Sequence, residues 1–342
     1  MSEYHLPQSQ QVWSWQGPGQ LELHSKALGA PQADEVIVAN QVIGLNPVDW
    51  KMIERGHPDW QPGHIPGVDG MGIVVARGAG ASLPLGSRVA YHQWLKRDGS
   101  FAPFTRLAAG ALLQVPEGVA NEQAAALPCP ALTAWQAQAK VPDAGPRDVL
   151  ITGAGGAVGL FLVQLAVARG WRVWVTAAPR HHGPLSAMGV SGSFDYRDSQ
   201  WREALQASLG ERRLYALFDT VSGEHARSLA PLLGYNGHLV CIQGRLEQAP
   251  LPAFSTALSC HEIALGSMHD HASATDWMQI RHAGRQLLEQ LRDGNLTPPA
   301  LHLDDYANLP RALAAVKAGQ GGKWLIKVNH APLSLHSDQE PV

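Results

Sequence analysis

Residues 148–170, DVLITGAGGAVGLFLVQLAVARG, run from an apolar strand pattern through a cluster of small residues into apolar text at helical spacing. Ala154, Gly156 and Gly159 take the three small-residue places of a G-x-G-x-x-G fingerprint, with Gly153 and Gly155 beside them. Small side chains let the backbone approach a charged group, and a helix opening near Ala157 turns its free N–H groups and positive dipole end toward it. Set between a strand and a helix, Ala154, Gly155, Gly156, Ala157, Val158 and Gly159 read as a cradle for the pyrophosphate of a dinucleotide. A tight turn with close helix packing is the alternative.

The surrounding text supports a sheet of the matching kind. Beyond about residue 125, strand-like runs (DVLITGA, WRVWVTA, LYALFDTVSG, HLVCIQGR, IALGSM) alternate with helical patterns, the signature of a parallel sheet wrapped by helices. Before it, EVIVANQVIG (35–44), GMGIVVARG (70–78) and SRVAYHQW (87–94) are short β-type runs between Gly and Pro clusters. A helix is expected over 276–294, closed by Gly294 and Asn295, and a strand over 321–328. The final HAPLSLHSDQEPV, 330–342, reads as loosely attached.

Which dinucleotide is bound depends on the tip of the next strand, where an acid would hold a ribose 2′-hydroxyl. No Asp or Glu lies between Trp171 and Ser193, and the tip carries Arg180, His181 and His182. A 2′-phosphate meets no repulsion there and at least one fixed cation, so NADPH is expected over NADH. The alternative is that Arg180 and the histidines form a solvated loop.

Composition removes other classes of function. The chain has 342 residues, 45% hydrophobic and 16% charged, enough for roughly two full-sized domains. A net charge of −3 gives no broad basic field for nucleic acid or anionic lipid. Cys129, Cys241 and Cys260 are too few and too scattered for a disulfide framework. No leader pattern opens the sequence and no run approaches ~18 apolar residues, so a soluble cytoplasmic protein acting on a small molecule is expected.

Six further stretches carry a resemblance. GLNPVDWK (44–51), PGVDGMG (66–72), AAALPCPALTAWQA (124–137), GAGGAVG (153–159), FDTVSG (218–223) and GGKWLIKV (321–328) together resemble the medium-chain dehydrogenase/reductase superfamily, in its zinc-free quinone oxidoreductase-like branch. The resemblance implies an α/β protein with a Rossmann doubly wound parallel sheet over 126–268. A GroES-like β-rich catalytic domain would be built from 1–125 and 269–342. It further implies hydride transfer to a quinone or α,β-unsaturated carbonyl, with Asn46, Asp49 and Lys51 as catalytic candidates and Trp50 and Asp69 at the substrate. Asp49 and Lys51 could instead form a salt link in a strand-to-helix turn. Trp60 and Trp94 read as core or loop anchors.

By the same resemblance, Thr133 at the start of a helix would reach the nicotinamide end, and Arg180, His181 and Tyr196 the adenosine 2′-phosphate. Ser222, Gln243, Gly244, Ser267 and Met268, at the carboxyl ends of strands, would line the cofactor; the last four could equally be plain strand ends. Zinc-bearing relatives place a Cys where this chain has Asn46 and a His-Glu pair where it has Val68 and Asp69. Asp69 and Cys129 alone fall short of the three protein ligands a catalytic zinc needs, so no metal is expected. His269-Asp270-His271 reads as polar loop text.

Two other functions stay open: an alcohol dehydrogenase with a degenerate zinc site, and a non-catalytic NADPH-binding redox sensor. Relatives of this kind pair through the last strand of the Rossmann sheet, here EIALGSM (262–268), whose run from Ile263 to Gly266 lacks Lys or Pro to blunt it. A homodimer through that edge is expected.

Overall fold

The structure is a computed structural model and describes residues 4–330; the tail read as loosely attached lies, beyond His330, outside the described residues. The chain divides into two compact units, Pro130–Leu265 and the remainder.

The first unit opens with the antiparallel hairpin β1 (Ser9–Gly17) and β2 (Gln20–Ala27). Then follow β3 (Glu35–Gly44), α1 (Pro47–Arg55), β4 (Asp69–Arg77), β5 (Arg88–His92), β6 (Phe104–Ala108), β7 (Leu112–Gln114) and α2 (Asn121–Ala126), and α3 (Pro128–Ala139) begins. The near-continuous β-branched text of β3 fits its place: it is flanked by β4, β6 and the late strand Lys323–Lys327, and nine of its ten residues are buried. The hairpin is tied down where the Trp13 N–H donates to the Phe101 carbonyl at 3.0 Å, and Phe101 is fully buried with Val12, Trp15, Ile43 and Leu45. The sequence reading overlooked this hairpin, because exposed polar residues dominate β2.

The second unit carries β8 (Asp148–Ile151), α4 (Ala157–Ala168), β9 (Arg172–Thr176), α5 (His182–Ala187), β10 (Gly192–Phe194), α6 (Trp201–Leu209), β11 (Leu214–Asp219), α7 (Gly223–Leu229), β12 (Leu233–Cys241) and β13 (Ser259–Glu262). All pairings are parallel and the strand order is β10-β9-β8-β11-β12-β13, the doubly wound dinucleotide order. Leu150, Leu217 and Leu239 from three neighbouring strands are fully buried with Leu205 and Leu229 of the covering helices. Three-residue β10 left too short a signal to read from sequence.

The chain then returns to the first unit with α8 (Met268–His271), α9 (Ala274–Arg292), β14 (Leu301–Asp305), α10 (Leu309–Lys317) and β15 (Lys323–Lys327). β15 pairs antiparallel with β3 and parallel with β14, completing a seven-stranded sheet. Gly294, at φ +73°, follows α9 as expected.

One expected element is corrected. The last strand of the parallel sheet is Ser259–Glu262, four residues whose backbone pairs with His238–Cys241. Ile263 and Leu265 are buried beyond its end, Leu265–Ser267 is a single 3-10 turn, and Met268 begins a helix. The apolar run is therefore packed text rather than an unprotected edge. A sheet-to-sheet pairing would have to use Ser259–Glu262 instead.

Removing the Phe101 ring should lower the unfolding free energy of the first unit by about 3–5 kcal/mol. Urea denaturation of Phe101→Ala checks this, with a drop below 1 kcal/mol as the contrary result.

Candidate active site

In the second unit the glycine loop leaves β8 and enters α4 as the sequence implies. Gly156 is the N-cap of α4, no side chain caps that end, and the Leu160 N–H closes the first turn on the Gly156 carbonyl at 2.9 Å. A Cβ on Gly159 would stand 2.5 Å from the Gly153 oxygen and 2.7 Å from the Ala154 Cα, both backbone. Only a bare residue at 159 lets α4 pack this closely against the loop, which is what the third small residue of a dinucleotide fingerprint does.

Two strand ends frame the adenosine candidates. Phe194 pairs with Thr176, so Arg180 and His181 after β9 and Tyr196 after β10 leave the same edge of the sheet. The His181 ring lies over the loop, since a Cβ on Gly155 would meet its Cδ2 at 2.5 Å. Burial, with Arg180 and His182 beside it, lowers the His181 pKa, so it is a neutral ring near pH 7 and the fixed cation is Arg180. Tyr196 is half-exposed, with the Arg197 guanidinium 5.3 Å from its ring centre.

Asp219, at the end of β11, was absent from the sequence reading and organises this end of the sheet. It accepts from the Thr152 hydroxyl at 2.7 Å and the Ser222 N–H at 2.9 Å, and it pairs with the His225 ring. Ser222 in turn caps α7 by accepting from the His225 N–H. Gln243 and Gly244 follow β12, with Gly244 at φ +79°. Thr133 is not at a helix start, because α3 begins at Pro128; it is buried in the helix interior. Ser267 and Met268 follow no strand and belong to the first unit.

In the first unit a buried polar cluster gathers on Asp69, which is wholly inaccessible. Its carboxylate accepts from the Asn46 amide at 2.9 Å, the His92 Nδ1 at 2.9 Å and the Cys129 N–H at 3.0 Å, and the Lys323 ammonium lies 3.4 Å away. Lys323 also donates to the Asn46 Oδ1 at 2.6 Å. Burial alone would raise the Asp69 pKa, but Lys323, His92 and Asn46 outweigh it and hold the carboxyl below its usual range. Lys323 reaches across because Gly44 lies between the strands: a Cβ there would stand 3.2 Å from the Asp69 Cβ and 3.3 Å from the Lys323 Cε.

Of the expected catalytic residues, Asn46 is therefore in the cluster. Asp49 is beside it as the capping partner of α1, its oxygens accepting from the backbone N–H groups of Asn46 and Val68. Burial raises its pKa to about 7. Asp49 thus binds backbone groups of the strand-to-helix turn, where a salt link to Lys51 was the alternative to a catalytic role, and the ammonium against Asn46 is that of Lys323. Lys51 instead has its ammonium 5.8 Å from the Trp50 ring, which Lys317 of α10 approaches at 5.7 Å. Trp50 packs against the hydrophobic core cluster, and Trp60 is a buried anchor donating to the Leu95 carbonyl. His92 and Lys323 were missed. His92 ends a short strand whose last four residues are all buried, and Lys323 opens an apolar strand where a lysine usually marks a solvated end.

His92 also changes the ligand count, since ligand atoms of Asp69, His92 and Cys129 lie within 4.8 Å of one another. Both Asp69 oxygens already accept from protein donors, however, and the Lys323 ammonium would repel a divalent cation. The three groups are close, yet as built they do not fit a catalytic zinc, which needs free donors and an open position.

Residues 32–122 match the family model of the alcohol dehydrogenase GroES-like domain. The trans-enoyl reductase xenG of Xenoacremonium sinensis is 29% identical over 259 residues, 69% of each chain, and the quinone oxidoreductase of Rattus norvegicus is 27% identical over 264, covering 75% of this chain and 79% of the other. Over most of its length the chain is similar to members of the medium-chain dehydrogenase/reductase superfamily. A solved alcohol dehydrogenase superfamily protein from Novosphingobium aromaticivorans shares the fold, with a TM-score of 0.82 at 24% identity over 94% of this chain and all of that one. These homologues support an oxidoreductase of the nicotinamide-dependent type. Among the described residues no helix is long and apolar enough to cross a membrane.

Filling the Gly159 space with a methyl group cannot be relieved by a rotamer change. Gly159→Ala should cost about 1–3 kcal/mol of stability in the second unit and abolish saturable dinucleotide binding. Fluorescence titration with NADPH tests this, and unchanged affinity would contradict it.

Proposed function

We propose that the protein is an NADPH-dependent, metal-independent reductase of quinones or α,β-unsaturated carbonyls. The observation that carries the reading is the buried Asn46–Asp69–His92–Lys323 cluster. It joins a fixed cation to an imidazole oriented through one nitrogen, which is the equipment a carbonyl acceptor needs without a Lewis acid. Ala154, Gly155, Gly156, Ala157, Val158 and Gly159 would hold the pyrophosphate, and Arg180 the 2′-phosphate with Tyr196 beside it. When bound, the nicotinamide supplies the hydride.

The chain's own groups do the rest. Asp69 stays ionised and keeps Lys323 in place with Asn46, whose two amide N–H groups are spent on Asp69 and the Gly44 carbonyl; the Lys323 ammonium gives two of its N–H groups to Asn46 and Asp69 and keeps the third for charge developing on an acceptor oxygen. A carboxylate only accepts, so the Nδ1 of His92 carries the proton that bonds Asp69, and Nε2 is the nitrogen that exchanges protons. A conjugated acceptor suits this arrangement, because hydride adds at a carbon remote from the oxygen being stabilised. The relatives named above as quinone oxidoreductase and trans-enoyl reductase act on acceptors of these kinds by name.

Turnover of a panel of quinones, enones and simple ketones with NADPH and NADH side by side tests the proposal. Quinones or enones should consume NADPH in preference to NADH, and Arg180→Ala should bring the two Kd values together. Equal affinities in the parent protein would refute the cofactor assignment. Tight NADPH binding without turnover of any acceptor would favour a sensor.

A further inference from the structure

The first unit also holds a cavity of about 590 Å³ whose lining includes Trp94, Arg97, His269, Trp277, Met278 and Arg281. That volume suits a small molecule. Its wall is aromatic. The Trp94 ring lies parallel to His269 within 14°, with centroids 6.2 Å apart, and Trp277 meets His269 edge-on at 5.2 Å. Met278, next along α9, leaves 56% of its surface exposed. Apolar side chains gathered around a solvated cavity are what a flat apolar ligand would cover.

His269 gives this wall one polar handle. Its Nε2 lies 2.9 Å from the His92 carbonyl oxygen, and a carbonyl can only accept, so Nε2 carries the proton. Burial, with His92 beside it, pushes the His269 pKa down to about 4, leaving Nδ1 an unprotonated acceptor at neutral pH. Among the described residues nothing donates to that nitrogen. The charges nearby balance: Arg97 pairs with buried Glu35 and Lys96 with Asp270 at 2.8 Å, and the two remaining charged groups of the lining, Arg281, which donates to the Gly110 carbonyl at 2.6 Å, and Asp34, are of opposite sign. The cavity therefore asks for a neutral ligand. It adjoins the polar cluster, since the His269 and His92 rings are 6.4 Å apart.

We propose that this cavity is a subsite for a neutral planar aromatic group bearing a hydroxyl, stacked on Trp94 and edge-on to Trp277, so that it lies near the plane of His269 and its hydroxyl donates to the Nδ1 of that ring. The inference rests on the reading of the cluster as the site of reduction and narrows its substrate to hydroxylated aryl quinones or aryl enones.

Calorimetric titration with 2-naphthol and 2-methoxynaphthalene, which cannot be reduced, isolates the subsite. 2-Naphthol should bind at one site about fivefold or more tightly than the ether, which has no donor. His269→Phe should erase that difference, and Trp277→Ala should weaken both ligands by about tenfold while leaving the melting temperature in place. No saturable binding, equal affinity for the two ligands, or variants indistinguishable from the parent would overturn the subsite. NADPH turnover with 6-hydroxy-1,4-naphthoquinone, whose hydroxyl is free to donate, separates the two claims. Reduction of quinones without naphthol binding refutes the subsite alone, whereas naphthol binding without reduction of any quinone or enone refutes the proposed function and leaves the subsite standing.

Discussion

The ion pair between Asp69 and Lys323 is the interaction on which the first unit's site depends. It joins the first residue of β4 to the first residue of β15, and through Asp69 it also fixes His92 at the end of β5, Asn46 at the N-cap of α1 and the backbone of Cys129. A pair with exposures of 2% and 0% gains little net stability over an apolar substitute, because both charges have left water. Removing only one member is costly, since a bare charge then stays buried. Such a pair persists where its charges are used, and here each charge meets further polar groups rather than packing alone.

From that pair the logic of the site extends outward. In the proposed reduction the ammonium would supply the positive charge that other chemistries take from a metal, while the carboxylate orients an imidazole and an amide with the same two oxygens. Both oxygens are spent on these partners, which is why three potential ligands within reach of one another do not amount to a metal site. In the second unit Asp219 has a comparable role, gathering Thr152, Ser222 and His225 at the carboxyl ends of β8 and β11 beside the glycine loop. Both carboxylates position other groups rather than facing solvent.

Sequence reading succeeded where neighbouring residues fix local structure. The strand, glycine loop and helix of 148–170, the alternation of strands and helices beyond residue 125 and the turn at Asn46 all follow from residues close together in the chain. It failed where the site is made by distant residues. Lys323 lies 254 residues from Asp69 and meets it only because β15 pairs with β3 beside β4 and Gly44 leaves the gap open. Lys51 looked the better candidate because it follows Asn46 closely, but the helix turns it toward Trp50. The run Ile263–Gly266 read as a strand because apolar text satisfies a strand and a packed connection equally well. His269, dismissed as loop text, proves half-buried against two tryptophans.

The central claim is that the Lys323 charge serves the reaction and not only the fold. The direct test is kcat/KM for a quinone with NADPH in the double variant Asp69→Asn with Lys323→Met, which removes both charges together and so avoids stranding one in the interior. The account predicts a folded protein with unchanged NADPH affinity and kcat/KM lower by about a hundredfold or more. Quinone reduction within threefold of the parent would contradict it.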